Sequence, residues 1–348
     1  MIWICPGSAT LPVYYFSGED RQMSTSTQVM ETEGGSPVRQ LDQQGFQQLV
    51  QALIGNISRS VVISEESIRY VLLGLVSQGH ILLEDTPGVG KTLMAKTLAQ
   101  SIQGRFSRVQ CTPDLLPSDI TGTSIFNMQQ NLFEFKPGPV FSNVLIADEI
   151  NRTGPRTQAA LLEAMAEFQV SADGEVYLLP RPFMVIATQN MVESHGIFPL
   201  PDSQLDRFLI SMSLGLPSSA QEIEILSRAE HGTQEVSTVL TTQDVLAMQA
   251  TVKQVQVGLP MKEYLVNISR ATREHPQVSR GASPRGTVLL QGAAQGWAAF
   301  EGRNFLIPED IKKVAPIVLP HRIATHPGSD MHNRDIVHEI LDNVAVPV

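Results

Sequence analysis

The stretch Ile81–Gln100, "ILLEDTPGVGKTLMAKTLAQ", decides the fold. A short apolar run, Ile81–Leu83, leads into a glycine-rich loop, and a helix is predicted from about Thr92 to Ile102. A strand, a glycine loop and a helix in this order form the setting in which phosphate-binding loops occur. The usual pattern G-x-x-x-x-G-K-[ST] has glycine where Asp85 stands, so the match to the pattern is incomplete.

The later positions of this loop carry the chemistry. Backbone N–H groups at the start of a helix bind phosphate oxygens when no side chain blocks them. We predict that Gly88 and Gly90 wrap the β-phosphate, that Lys91 reaches the β and γ oxygens, and that Thr92 holds Mg²⁺ through its hydroxyl. Asp85, at the start of the loop, then needs only ordinary backbone angles. The alternative for this stretch alone is a glycine turn that binds nothing.

A second stretch, "NVLIADEIN" at Asn143–Asn151, ends an apolar run with two acids. A buried central strand delivers such residues at its C-terminal end, the edge where ligands bind in open α/β sheets. We predict that Asp148 binds Mg²⁺ through water and that Glu149 orients and deprotonates the attacking water. Alone, the run is equally typical of a strand that meets solvent, but its place after the loop favours the catalytic interpretation. The predicted nucleotide-binding residues are Asp85, Thr86, Pro87, Gly88, Val89, Gly90, Lys91, Thr92, Leu93 and Asp148.

Three further polar residues are candidates for contact with the γ-phosphate. Asn190 ends the apolar run of "MVIATQN" and either holds the lytic water or the γ-phosphate, or is an ordinary turn residue. Arg207 is either a solvated charge or an arginine finger that enters a neighbour's site, since arginine stays charged and binds two oxygens at once. Arg285 begins a helix and is a candidate for phosphate contact within its own subunit.

The order of apolar runs predicts an α/β fold with a parallel sheet covered on both faces. Beyond Pro217 the pattern changes to helices alone. We therefore predict a tail without fixed structure over 1–40, a nucleotide-binding α/β core over 41–216 and a helical lid domain over 217–348. The further predicted strands are Val144–Ala147, Phe183–Ala187 and Phe208–Met212, and the predicted lid helices are Ala220–Glu230, Thr242–Val255, Lys262–Glu274, Pro284–Glu301 and Pro308–Leu319.

Composition restricts the partners and the compartment. The chain has 25 Lys and Arg against 35 Asp and Glu, a formal charge of −10, which disfavours a broad electrostatic grip on nucleic acid or an anionic membrane. No apolar run approaches the roughly 18 residues that a membrane span needs. Cys5 and Cys111 are the two cysteines and lack metal-ligand spacing, which is typical of a reduced compartment. We expect a cytoplasmic protein without direct membrane insertion.

From about residue 41 to 348 the chain resembles the MoxR-type AAA+ ATPases, in which an Asp or similar residue commonly starts the loop, as Asp85 does here. The resemblance implies a P-loop NTPase core of three layers, αβα, with a C-terminal helical lid. Besides the loop itself, the stretches that carry it are "TSIFN" at Thr123–Asn127, "FEFKPGPVFSNVLIADEINR" at Phe133–Arg152, "TQAALLEAMAE" at Thr157–Glu167 and "PRPFMVIATQN" at Pro180–Asn190.

The resemblance also implies roles for single residues, with ATP and Mg²⁺ as cofactors. These are Walker A for Lys91 and Thr92, Walker B for Asp148 and Glu149, sensor 1 for Asn190, the arginine finger for Arg207 and sensor 2 for Arg285. Arg152 and Arg156 are secondary candidates for a residue that acts on a neighbouring subunit. The family has an insert before Walker B, matching about 124–138, and a β-hairpin before sensor 1. Turn chemistry alone places that hairpin at Val170–Leu178 with Asp173 and Gly174 at its tip. The chain departs from its relatives at 191–195, where they more often have proline and acids.

By this resemblance we expect an ATPase that forms a ring, with a hexamer as the expected form, and remodels or activates a client protein. Proteins like this commonly act with a partner bearing a von Willebrand factor A domain, whose D-x-S-x-S motif this chain lacks. One alternative is the ATPase motor of a metal chelatase. Another is a scaffold that binds nucleotide without hydrolysis, against which Glu149, Asn190 and Arg207 argue. Phe133 and Phe135 contact a partner or, as we favour, pack the insert onto the core.

Overall fold

The structure is a computed structural model that describes residues 41–85, 88–190, 197–231, 236–329 and 331–347. Four of the sequence predictions lie outside the described residues. They concern the tail over 1–40, the loop residues Thr86 and Pro87, the departure at 191–195, and Cys5.

The first helices begin at side chains that cap them. Asp42 accepts a hydrogen bond from the Gly45 N–H (2.7 Å), and Ser64 accepts one from the Ser67 N–H (3.1 Å), as the Ser64-Glu-Glu pattern indicates. The helices are α1 Gln43–Ser60, α2 Glu65–Val76, α3 Lys91–Ser101, α4 Pro117–Thr121, α5 Pro155–Glu167, α6 Asp202–Leu205, α7 Ser219–His231, α8 Thr242–Lys253, α9 Leu259–Glu274, α10 Pro284–Phe300, α11 Pro308–Val318 and α12 Asn333–Asn343, with short 3-10 helices at Ile150–Arg152 and Pro320–Arg322.

A five-stranded parallel sheet lies at the centre of the fold, in the order β2-β5-β8-β1-β9. The strands of the protein are β1 Ile81–Glu84, β2 Phe106–Gln110, β3 Gly122–Asn127, β4 Leu132–Pro137, β5 Val144–Asp148, β6 Gln169–Ala172, β7 Glu175–Leu178, β8 Met184–Gln189, β9 Ile210–Met212, β10 Val278–Arg280 and β11 Ala324–Thr325. Because all five sheet strands are parallel, their C-terminal ends meet at one edge.

The side chains of the sheet alternate between two apolar layers, as the period of a strand requires. Ile81 and Leu83 pack with α1, α2, α3 and the helices of the lid region, whereas Leu82 faces the opposite layer with Leu161 and Met165 of α5. The sheet is therefore covered on both faces. This confirms the α/β three-layer prediction together with the helical lid region.

Two hairpins project from the core and touch each other. The pair β3–β4 occupies the predicted insert, and β6–β7 confirms the predicted hairpin, with Asp173 and Gly174 in left-handed conformations at its tip (φ 53° and 82°). The rings of Phe135 and Tyr177 stack across the two hairpins, with centroids 3.9 Å apart. Phe135 therefore packs, as we favoured, whereas Phe133 is 75% exposed.

Several elements differ from the sequence prediction. The lid region is not made of helices alone, because β10 and β11 form a small antiparallel pair in it. The sequence analysis did not predict the edge strand β2 or the last helix, α12. In β2 only Val109 is buried, so this strand shows no apolar run. The predicted boundary between residues 216 and 217 falls between β9 and α7 and stays a prediction. None of the helices within the described ranges has both the length and the apolar character to cross a bilayer.

Candidate nucleotide-binding site

The glycine loop connects the end of β1 to the start of α3. Gly88 and Gly90 both have left-handed backbone angles (φ 90° and 87°), which side chains disfavour, so glycine is required here by conformation. Helix α3 begins at Lys91, and its first N–H groups have no partner within the helix. The Lys91 ammonium donates to the Asp85 carbonyl oxygen (3.0 Å). The loop thus has unpartnered N–H groups and a lysine ammonium at one helix start, an arrangement that suits phosphate.

A cavity of about 380 Å³ opens above this loop at the C-terminal edge of the sheet. It brings together nine of the predicted residues: Asp85, Gly88, Gly90, Lys91, Thr92, Leu93, Asp148, Glu149 and Asn190. Three lining residues were not predicted: Arg108, Gln110 and Thr188. The start of α3 and the ends of β5 and β8 therefore meet at this cavity, which is where we predicted the phosphate-binding and hydrolytic residues to lie.

Asp148 is the last residue of β5 and is buried, and an arginine of the neighbouring strand β2 lies beside its carboxylate. Arg108 of β2 donates from Nε to Asp148 Oδ2 (2.8 Å), and the Thr188 hydroxyl lies 3.4 Å from Asp148 Oδ1. These contacts orient a carboxylate that follows directly after a buried strand. They also show what sequence reasoning missed. Arg108 and Gln110 stand in β2, which shows no apolar run, so no local signal in the sequence marks them.

Glu149 has a left-handed backbone (φ 56°), an uncommon conformation for a residue with a side chain. Its N–H donates to the Thr188 hydroxyl (2.9 Å), which holds the turn. Its carboxylate accepts from Gln110 Nε2 (3.2 Å) and lies 3.4 Å from Arg152 Nε. Strained backbone held by its surroundings is common at catalytic positions. The turn directs Glu149 into the cavity next to Asp148.

The residues present fit a magnesium ion bound together with a nucleotide. Thr92 and Asp148 line the same cavity, and hydroxyl and carboxylate oxygens are ligands that Mg²⁺ prefers. Within the part of the chain that the structure describes, no group of three or more His, Cys, Asp or Glu could hold a metal alone. Mg²⁺ usually keeps water and takes its remaining ligands from phosphates, so a site with two protein oxygens suits it.

Asp85 has a structural partner that the sequence pattern does not show. Its carboxylate accepts from the Leu214 N–H (2.8 Å), the Gly215 N–H (3.2 Å) and the Ser213 hydroxyl. Gly215 has a left-handed backbone (φ 75°), which turns successive N–H groups toward one anion. The side chain at the start of the loop thus holds the segment that leads from β9 to α7. Our expectation that any residue with ordinary angles serves there misses this role.

The two arginines expected at the γ-phosphate do not line the cavity. Arg207 follows α6, is half-buried, and donates to the Leu162 carbonyl oxygen of α5. Arg285 is the second residue of α10 and is exposed. Asn190 does line the cavity, and its carbonyl oxygen accepts from Asn151 Nδ2 (3.4 Å). The cavity therefore contains Asn190, whereas Arg207 and Arg285 lie outside its lining.

Cys111 follows β2 and lies close to the acids without joining their chemistry. It is buried, and its N–H donates to the Asp148 carbonyl oxygen (2.9 Å). Burial, followed by the negative charges of Asp148 and Glu149, raises the pKa of its thiol to about 12. The thiol therefore stays protonated, and we assign it a packing role.

Comparison with known families agrees with this geometry. Residues 80–210 match the family described as "ATPase family associated with various cellular activities (AAA)", and residues 270–340 match the AAA lid domain. The first match covers four of the five sheet strands and the cavity, and the second begins near the end of α9 and reaches into α12. The fold and the site therefore define an AAA ATPase with a C-terminal helical lid region.

Similar proteins narrow the family. The chain is 45% identical to the uncharacterized protein YeaC of Bacillus subtilis over 311 residues, which is 88% of this chain and 97% of that protein. It is 39% identical to Chaperone MoxR1 of Mycobacterium tuberculosis, over 84% of this chain and 81% of that one. A crystal structure of a candidate ATPase from Cytophaga hutchinsonii superposes with a TM-score of 0.83 at 36% identity, covering 88% and 97% of the two chains. The chain belongs to the MoxR family of AAA ATPases, which implies ATP binding.

Proposed function

We propose that this protein is a Mg²⁺-dependent ATPase that assembles into a ring, with a hexamer as the expected form, and uses ATP hydrolysis to remodel or activate a client protein. One observation carries the proposal. The cavity combines a phosphate cradle with two acids and an asparagine at the ends of neighbouring strands. A protein that only bound nucleotide would have no need for Glu149 in a strained turn beside Asp148.

Each residue of the cavity has a distinct task in this proposal. The N–H groups of the loop and Lys91 bind the phosphates, and Lys91 exchanges the Asp85 carbonyl oxygen for phosphate oxygens. Thr92 and Asp148 would hold Mg²⁺, which supplies charge neutralisation at the phosphates. Glu149 orients the attacking water and accepts its proton, while Gln110 keeps the carboxylate aligned. Asn190 holds that water or the γ-phosphate from the neighbouring strand.

We assign Arg207 to the γ-phosphate of the adjacent subunit and Arg285 to the nucleotide of its own. Neither arginine lines the cavity, so both assignments rest on the family resemblance. An arginine stays charged and binds two oxygens, so it suits a developing charge on phosphate. Arg152 and Arg156 are the next candidates, although Arg152 lies near Glu149 in the same subunit.

Mixing two inactive variants tests the shared site. Arg207→Ala should bind ATP and lose most hydrolysis, because an arginine finger is worth roughly 10³–10⁵ in rate. Glu149→Gln should also be inactive. In rings that contain both variants, some interfaces pair an intact Glu149 with an intact Arg207, so part of the activity should return. No recovery in rings shown to be mixed would refute the trans assignment.

We propose that the client is reached together with a separate protein that has a von Willebrand factor A domain, in the cytoplasm and without nucleic acid. The family resemblance supports the partner, and the excess of acidic residues argues against nucleic acid. Pull-down of the tagged Glu149→Gln variant with ATP and Mg²⁺ should recover such a partner, and the Lys91→Ala variant is the matched control. Recovery of tetrapyrrole-chelatase subunits instead would favour the chelatase motor. A wild-type protein that binds ATP without turnover would favour the scaffold.

A further inference from the structure

The segment Asp206–Phe208, which carries Arg207, is held by one buried arginine of the lid region. Arg322 ends the 3-10 helix Pro320–Arg322 and is only 4% exposed. Its Nε lies 3.0 Å from Asp206 Oδ1. Its terminal nitrogens donate to the carbonyl oxygens of Asp206 (3.4 Å), Leu209 (3.3 Å) and Phe208. Arg322 thereby fixes the backbone on both sides of Arg207.

The second oxygen of the Asp206 carboxylate binds helix α10. The Ser283 hydroxyl donates to Asp206 Oδ2 (2.9 Å) and also accepts from the Gly286 N–H (3.1 Å) as the N-cap of this helix. Arg285 is the second residue of α10. One carboxylate therefore connects the segment that carries Arg207 to the helix that carries Arg285.

Helix α10 also packs directly on Arg322. A Cβ atom added at Gly286 would lie 3.0 Å from Arg322 Cδ, so the glycine allows a close approach. The Arg207 guanidinium itself donates to the Leu162 carbonyl oxygen of α5. The position of Arg207 is thus determined by α10, by the 3-10 helix and by α5 together.

A buried ion pair is a costly way to gain stability, because apolar residues of similar volume often stabilise a protein as well or better. Burial lowers the pKa of Arg322 to about 10, and the charge of Asp206 opposes that effect. The guanidinium still carries its charge at neutral pH. Charge-assisted hydrogen bonds to several acceptors fix direction as well as distance. We therefore assign this ion pair a role in orienting the segment around Arg207 rather than in stabilising the fold.

We propose that Asp206 and Arg322 are a positioning pair that sets Arg207 for its action on the neighbouring subunit, and that the bond from Ser283 couples this setting to α10. Neither residue touches the nucleotide. The inference rests on the proposed function, because it requires Arg207 to act in hydrolysis. It predicts that the lid region and the arginine finger of one subunit move together.

Asp206→Asn tests the pair, since asparagine keeps an acceptor for Ser283 and loses the charge that faces Arg322. We expect the affinity for a fluorescent ADP analogue and the KM for ATP to stay within about twofold, and kcat to fall roughly 10- to 100-fold, as for a displaced catalytic group. A fall in affinity with unchanged kcat would overturn the proposal.

Subunit mixing separates positioning of Arg207 from general damage. Asp206→Asn mixed with Glu149→Gln should recover activity, because the Glu149→Gln subunit supplies a well-placed Arg207. Asp206→Asn mixed with Arg207→Ala should not recover, since both lack a working finger. If the Arg207→Ala and Glu149→Gln pair recovers while the Asp206→Asn and Glu149→Gln pair does not, the positioning role is refuted. If neither pair recovers in mixed rings, the trans assignment itself fails.

A pair of cap variants controls for folding. Ser283→Ala and Thr241→Ala each remove an N-cap hydroxyl, and Thr241 caps α8 by accepting from the Asp244 N–H (3.2 Å). Both should lower thermal stability to a similar extent. Only Ser283→Ala should lower kcat, by roughly 3- to 10-fold, because only this hydroxyl bonds to Asp206. Equal kcat values for the two variants would overturn the coupling through α10.

Discussion

Lowering the pH from 7.5 to 5 should destabilise the protein through His80, which precedes β1. The ring is buried, its Nδ1 accepts from the Val185 N–H (3.0 Å), and its Nε2 lies 3.0 Å from the Met165 carbonyl oxygen. Both bonds together require the neutral ring with its proton on Nε2. Desolvation lowers the pKa of His80 to about 4; the Met165 carbonyl opposes this, and the charges of Arg181 and Arg285 add to it.

The direction and the size of this loss of stability follow from the linkage between proton binding and folding. A histidine whose pKa falls from about 6.5 in the unfolded chain to about 4 in the fold takes up protons mainly on unfolding between those pH values. Its contribution is complete above pH 6.5 and is lost as the pH falls toward 4. One pKa unit is worth about 1.36 kcal/mol, so the limiting loss is about 3 kcal/mol, with about 2 kcal/mol already lost at pH 5.

Urea unfolding of the wild type and of His80→Gln, each at pH 7.5 and at pH 5, measures the contribution of His80 to the free energy of unfolding. Glutamine does not titrate, so the wild type should lose about 2 kcal/mol more than the variant over this pH interval. Burial also lowers the pKa of His321 well below its ordinary value, but this histidine is present in both proteins and cancels in the comparison. Equal losses, within about 0.5 kcal/mol, would refute the reasoning.

Three further predictions concern the site and the hairpins. Glu149→Gln should bind ATP and release no phosphate in a steady-state assay, because an amide cannot accept the proton of the attacking water; undiminished phosphate release would place the base elsewhere. Gly90→Ala should lower the free energy of unfolding by about 1–2 kcal/mol, since alanine must adopt a left-handed angle here (φ 87°) although the added Cβ has no neighbour nearer than 3.9 Å; an unchanged free energy of unfolding would contradict the conformational reason for this glycine. Phe135→Ala should lower the free energy of unfolding by about 1 kcal/mol or more, as it removes the ring stacked on Tyr177, whereas the exposed Phe133→Ala should change it by less than about 0.5 kcal/mol; equal effects would contradict the stack as a stabilising contact.

The sequence predicts the residues that lie at the ends of buried strands and misses those that depend on distant pairing. Lys91, Asp148 and Asn190 each follow an apolar run, so local pattern and parallel-sheet geometry suffice to bring them to one cavity. Arg108 stands in an exposed edge strand whose alternation is too short to detect. The ion pair between Asp206 and Arg322 joins residues that are far apart in the chain, and no local preference encodes it.

The carboxylate of Asp85 bears on how related chains can vary. It is the acceptor for two backbone N–H groups, those of Leu214 and Gly215, that are 129 and 130 residues away in the chain. A chain with the usual glycine at this position has no such acceptor, so the N–H of the half-buried Leu214 needs another partner, whereas that of the exposed Gly215 can turn to water. Substitution at position 85 and the length or composition of the segment around 213–215 should therefore change together across relatives. A glycine at the first site should be accompanied by a new acceptor, or by a linker that turns these N–H groups toward solvent.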